Sequence, residues 1–193
     1  LNEHLQALDR GEQVALPHFD FRSGRRAGGG EPLRLADGEM ILMEGIHGLN
    51  PRLTEALPDE RKYLIYISAL TQLNLDTSNR ISTTDNRLIR RLVRDKAYRG
   101  HDAVTTLCMW PDVRSGERRW VFPFQRRADT AFNSALDYEL AVLKPFAEAL
   151  LTEVKPDRPQ YAEARRLQAF LSGFLVGSAG QVPPTSLLRE FIG

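Results

Sequence analysis

The sequence has a single cysteine, Cys108, which excludes an intramolecular disulfide and any cysteine-cluster metal site. No apolar stretch approaches the ~20 residues of a membrane span, and neither a signal peptide nor a membrane partner is expected from these residues. An excess of charge of one sign is also missing. Lysine and arginine number 26 against 25 acidic residues, a formal net charge of +1. Without a global field, a general affinity for nucleic acid has no electrostatic basis. Internal repeats, low-complexity segments and a convincing linker are absent from the 193 residues, a length that suits one domain. No Ser–His–Asp constellation can be assembled. The low cysteine usage fits a reducing, cytoplasmic setting. An initiator Met is lacking too. The chain opens in LNEHLQALDRGEQV, which reads as the last turns of a helix stopped by Gly11, so an upstream continuation is expected.

What is present is an ordinary globular composition, 42% apolar and 26% charged. Residues 1–10 carry Leu1, Leu5 and Leu8 at helical spacing. ALPHFDFRSGRRAGGGEP reads as loop from its Pro, Gly and Arg content. ADGE is a turn signal that leads into MILMEGIHGLN, where a buried strand is expected at 40–44. Pro51 opens a short helix over 51–57. KYLIYISAL is a second strand, and ADTAFNSAL reads as a third. STTDNRLIRRLVRDKAYRG is a helix with Thr84 or Asp85 as cap, Leu88, Leu92 and Val93 as its apolar stripe and Gly100 as its stop. WPDVRSGERRWVFPF reads as irregular. Pro145 is expected to kink or divide the helix DYELAVLKPFAEALLTEV. YAEARRLQAFLSGFL is amphipathic through Leu167, Phe170, Leu171 and Phe174, and SLLREFIG docks a last short helix. Strands alternating with helices argue for an α/β layer fold.

Glu44 closes an apolar run and is followed by glycine. It reads either as a solvated strand-end side chain or as a carboxylate at the rim of a parallel sheet, where ligands bind and Mg²⁺ takes one or two carboxylates. Arg87, Arg90, Arg91 and Arg94 lie three and four residues apart, with Arg99 just beyond. Such a cluster repels itself unless an anion joins it, and the guanidinium fork matches phosphate. The alternative is a solvated helix face with local carboxylates, Asp95 being placed to pair with Arg91 or Arg99. Aromatic interleaving is poor, which again speaks against nucleic acid. Phe19 and Phe21 flank Asp20, and alternation puts both rings on one side of an extended segment. They read as a core pair or as a sandwich for a flat base. His47 reads as a structural residue or as a ligand contact beside Glu44. Trp110 and Trp120 read as packing anchors.

The order LPHFDF, EGIHGLNP, TTDNRLIRRLVRDKAYRG, FPFQRRADTAFNSALDYELAVLK, SLLREFIG resembles the uridine kinase/phosphoribulokinase family of P-loop kinases along the whole chain. It is most similar to the bacterial nucleoside kinases that carry a TGS domain ahead of the kinase. The resemblance implies a three-layer α/β fold with a parallel sheet, a lid over about 85–120 and C-terminal helices. The N-terminal strand and phosphate loop would lie upstream, because the pattern G-x-x-x-x-G-K-[ST] occurs nowhere in these residues. Residues 1–193 would then be the C-terminal part of a single kinase domain, inactive when isolated. The implied activity is phosphoryl transfer from ATP, with Mg²⁺, to the 5′-hydroxyl of a uridine- or cytidine-like nucleoside. Glu44 matches the strand-end carboxylate on the metal side. Phe19, Asp20 and Phe21 match the Tyr-Asp-Phe segment that packs on the base, with His47 a further substrate contact. Arg91, Arg94 and Arg99 match the lid arginines that neutralise phosphate. Gly24 and Met109 depart from the family's base-reading His and Gln, so the nucleoside is not fixed. Self-association stays open. The reading from another class is a non-catalytic fragment of a degenerate kinase that binds a nucleotide or a partner.

Overall fold

The structure is a computed structural model that describes residues 1–20, 25–27, 29–74 and 76–193, with Phe19, Asp20 and Ala27 described at the backbone. The chain forms two compact units, residues 1–66 with 116–131, and residues 67–115 with 132–193.

In the first unit α1 (Asn2–Asp9) buries Leu5 and Leu8, and Gly11 ends it with a left-handed φ of 73°. Strand β1 (Val14–Ala15) pairs antiparallel with β4 (Pro32–Leu33), Val14 opposite Leu33. Between them β2 (His18–Asp20) pairs with β3 (Arg25–Ala27), Phe19 opposite Arg26. The expectation of loop over this stretch is thus corrected. Gly30 serves the close approach here: a Cβ on it would overlap the Leu16 carbonyl, so only glycine lets the two segments close.

The ADGE turn forms. Glu39 donates its amide to the Ala36 carbonyl at 3.2 Å, and its carboxylate accepts from the Ala36 amide at 2.9 Å. The strand expected after it does not form. Residues 40–44 join no ladder among the described residues, and Met40 and Leu42 are 90% and 89% exposed. A continuous apolar run becomes a buried strand only where neighbours satisfy its backbone on both sides, and none pairs with it here. Farther on, Asn50 caps a 3₁₀ turn, Pro51–Leu53, by accepting from the Arg52 amide at 3.1 Å.

Strands β5 (Ile65–Ser68) and β6 (Thr130–Asn133) pair in parallel. The Leu64 carbonyl accepts from Asp129 at 2.8 Å, and the Ser68 carbonyl accepts from Ser134 at 2.9 Å. Beyond their carboxyl ends the Asn133 side chain accepts from the Leu70 amide at 2.8 Å and donates to the Leu70 carbonyl at 3.0 Å, fixing the register.

The helices build the core of the second unit. In α2 (Thr83–Arg94) the stripe Leu88, Ile89, Leu92 and Val93 is buried. Its cap is Ser82 rather than Thr84 or Asp85: the Ser82 hydroxyl accepts from the Asp85 amide at 3.3 Å. A single π turn, Asp95–Arg99, continues it to Gly100, whose φ of 69° ends the run. Helix α3 (Ala103–Trp120) is continuous through Pro111, which corrects the irregular reading of that stretch. Helix α4 (Glu139–Thr152) is not divided at Pro145. It packs Leu140, Leu143, Ala147 and Leu151 against α2 and against Leu167 and Leu171 of α5 (Tyr161–Ser172). Phe170 and Phe174 meet edge to face with ring centroids 5.3 Å apart. Helix α6 (Arg189–Ile192) closes the cluster with Phe191. Burial of each such side chain is worth about 1.5–3 kcal/mol, so this helical cluster supplies most of the unit's stability.

Candidate functional site

The expected site residues fall into the two units. In the first, the backbone of Phe19 and Asp20 is extended in β2, and Phe21 and Gly24 lie outside the described residues. Glu44 and His47 are exposed. Glu44 makes no hydrogen bond or ion pair among the described residues, and the His47 carbonyl accepts from the Asn50 amide at 2.8 Å. No group of three His, Cys, Asp or Glu side chains is placed to cage a metal among the described residues. Glu44 thus stands as a single exposed carboxylate outside any such group.

In the second unit the arginine ladder divides. Arg90 turns into the core, where it is buried. Its Nε meets the Glu139 carboxylate and its Nη2 donates to the Ser134 carbonyl at 2.6 Å. Its guanidinium also lies over the Phe191 ring, 5.5 Å from the centroid. The Asn86 amide donates to the same Glu139 at 2.8 Å. Arg90 is thus a structural anchor and leaves the anion-facing set.

Arg91 and Arg99 gather round Asp95, which is fully buried on the π turn. Arg99 Nη1 donates to Oδ1 at 3.0 Å. Arg91 Nε lies 3.1 Å from Oδ2 but is not aligned to donate. The buried Thr106 hydroxyl of α3 reaches Oδ2 at 3.4 Å, and His101 Nδ1 stands 3.9 Å from it. Arg94 Nη1 lies 3.7 Å from the half-exposed Glu190. Both pairings foreseen for Asp95 are present, since one carboxylate serves two guanidiniums.

The charges do not balance locally. Burial holds the Arg91 guanidinium below its ordinary pKa. Asp95 opposes this, whereas Arg99 and Arg94 add like-charge repulsion. Arg91 Nε, Arg94 Nε and His101 Nδ1 are buried with no hydrogen-bond partner among the described residues. Buried polar nitrogens without partners are uncommon, and these three belong to the basic residues of this region.

Thr106 carried no sequence signal of its contact, because it reaches Asp95 from α3, and His101 follows the π turn in the loop that joins it to α3. Their one local hint is HDAVT, where Asp102 accepts from the Thr105 amide at 2.7 Å and so opens α3. At the carboxyl ends of β5 and β6 a small cavity of about 50 Å³ is lined by Thr71, Asn86, Asn133 and Glu139 among others.

The model of the phosphoribulokinase/uridine kinase family matches residues 1–141. A uridine kinase from Bacillus pumilus (strain SAFR-032) is 28% identical over 128 residues, which is 66% of this chain and 52% of that protein. The chain thus spans about half the length of this curated relative. No solved structure matches it. The family implies a P-loop kinase-like α/β fold, and the parallel β5–β6 pair with its surrounding helices is the part of such a fold seen here. With the family model covering almost three-quarters of its residues, the chain belongs to the phosphoribulokinase/uridine kinase family.

Proposed function

We propose that the chain works within a nucleoside kinase that transfers a phosphoryl group from ATP to the 5′-hydroxyl of a uridine- or cytidine-like nucleoside. The observation that carries this is the basic cluster around Asp95, with the three unpartnered buried nitrogens of this region. Phosphoryl transfer requires mainly positioning and charge neutralisation, so arginines held ready for phosphate oxygens are the parts it needs. In this reading residues 85–120 form the lid, with Arg91, Arg94 and Arg99 on the phosphates. Glu44 is the carboxylate on the Mg²⁺ side. Phe19, Asp20 and Phe21 carry the base, and His47 lies near them.

ATP consumption by the full-length gene product against a panel of nucleosides tests the proposal. Turnover confined to pyrimidine nucleosides, lost in Arg94→Ala and strongly lowered in Glu44→Gln with folding intact, supports it. Near-normal turnover of Glu44→Gln at limiting Mg²⁺ removes the metal-side role. A second reading, a non-catalytic nucleotide-binding or partner-binding module, draws on the internal carboxylates that already engage Arg90, Arg91 and Arg99. It predicts ligand binding without turnover.

A further inference from the structure

We infer that the groove between the π turn, α4 and α6 is a binding site for a small amphipathic carboxylate, with Lys96 on the acid group. The groove lies wholly in the second unit and has a volume of about 580 Å³. That size is typical of small-molecule sites, which are mostly apolar with a few polar groups that fix orientation. Val93 of α2, Leu150 of α4 and Phe191 of α6 form its buried part. Phe146 of α4 and Tyr98 of the π turn line it as well and stay exposed, Tyr98 by 60%. These two rings leave apolar area in water, continuous with a buried apolar floor, that the body of a ligand would cover.

The acid group follows from charge. Lys96 is the one charged side chain that lines the groove. Its ammonium makes no hydrogen bond or ion pair among the described residues, and Asp102 feels its charge without pairing with it. Gly193 also lines the groove, and its carbonyl already accepts from Arg189 Nη1 at 2.9 Å. An anionic head therefore complements the groove, and a cationic one is opposed by Lys96. The size of the groove selects a small molecule over a protein surface. A stable protein interface takes about 20–30 residues a side, and eleven residues line this groove.

The π turn supplies the wall that carries the cation. Single π turns are rare and gather at functional sites. In this one Asp95 meets Arg91, Arg99 and Thr106, while Lys96, Ala97 and Tyr98 line the groove. None of these three side chains belongs to the helical core. A role in packing thus does not account for them, whereas a role in binding uses all three.

Titration of octanoate into the protein tests this, followed by the methyl resonances of Ala97 and Ala149, both of which line the groove. Octanol serves as the uncharged counterpart. Octanoate should shift both methyl resonances to saturation. Lys96→Gln should weaken octanoate about fivefold, the scale of an exposed ion pair, and leave octanol unchanged. Ala149→Trp, at an exposed position of α4, should fill the groove and abolish binding of both. A wild-type protein in which neither methyl resonance moves with octanoate overturns the site. Octanoate binding that survives in Ala149→Trp lies elsewhere on the surface and overturns it too. Octanoate affinity unchanged in Lys96→Gln overturns the carboxylate as the ligand class. Should Ala149→Trp lose its helical circular dichroism, the wild-type methyl shifts decide the site and Lys96→Gln, a change of an exposed side chain, decides the charge.

Discussion

The amide of Gly177 donates to the carbonyl of Ala141 at 2.9 Å. Ala141 is the residue whose carbonyl would ordinarily accept from position 145, and position 145 is proline, which has no N–H to give. A chain segment beyond α5 thus supplies the donor that Pro145 withholds, and α4 continues where a break was expected. The backbone at 177 must come close to do so. A Cβ there would stand 3.2 Å from Val142 Cγ2 and 3.3 Å from Ala141 Cβ. Gly177→Ala should therefore cost about 1–3 kcal/mol, read as a lowered denaturation midpoint, by pushing the donor off its carbonyl. A neutral Gly177→Ala would show that the contact does not hold α4 together.

The Glu139–Arg90 pair joins residues 49 positions apart inside the helical core. Glu139 also accepts from Asn86 and from the Leu136 amide at 3.1 Å. Removing the carboxylate strands a buried guanidinium, so Glu139→Ala should destabilise by about 3–5 kcal/mol. Adding Arg90→Met should recover part of that loss, since an apolar replacement removes the uncompensated charge. If the double variant is as unstable as the sum of the two single ones in urea denaturation, the pair is not coupled.

These pairings explain what the sequence could and could not convey. The α2 stripe, the Gly100 stop and the Asp95 pairings with Arg91 and Arg99 are local: they follow from 3.6-residue periodicity and i±4 spacing. Strands β5 and β6 were legible from their β-branched and aromatic content. The strand expected at 40–44 failed because burial of an apolar run depends on neighbours that local pattern does not reveal. Helix α3 was hidden by Pro111 and Gly116, and the continuity of α4 depended on a donor more than thirty residues away. At the site, Arg91, Arg94 and Arg99 were readable as a basic face. Arg90 could not be separated from them without knowing that Glu139 lies opposite, and Thr106 joins only through the meeting of the π turn with α3.

Asp102 gives a pH-dependent prediction. Its carboxylate accepts from the Thr105 amide at 2.7 Å, and the hydrogen bonds from Thr105 hold it below the usual carboxylate range. A folded pKa below the unfolded one means stability that is present above the unfolded pKa, about 3.9, and is lost as pH falls through the folded value. Asp102→Ala should cost about 1 kcal/mol near neutral pH, as capping residues do. The difference from the wild type should shrink as pH falls below about 4, where the unfolded carboxylate takes up its proton first, and be lost once the native carboxylate follows at lower pH. Denaturation midpoints measured across that range check it, and a difference that does not vary with pH would remove the carboxylate from the capping role.

Asp95 should separate stability from binding, because it both stabilises the arginines and competes with any incoming anion. Asp95→Asn keeps the shape and removes the charge. Arg91 and Arg99 then face each other with no carboxylate between them, and stability should fall by on the order of 3 kcal/mol. For a bound anion the sign is opposite. Loss of the internal competitor leaves the guanidiniums and Thr106 free to turn toward the ligand, so the variant should bind sulfate more tightly than the wild type. Added sulfate should restore much of the lost stability through preferential binding to the folded state. A variant that loses stability and sulfate affinity together would show that Asp95 is needed to shape the site, and that its charge does not compete with the anion.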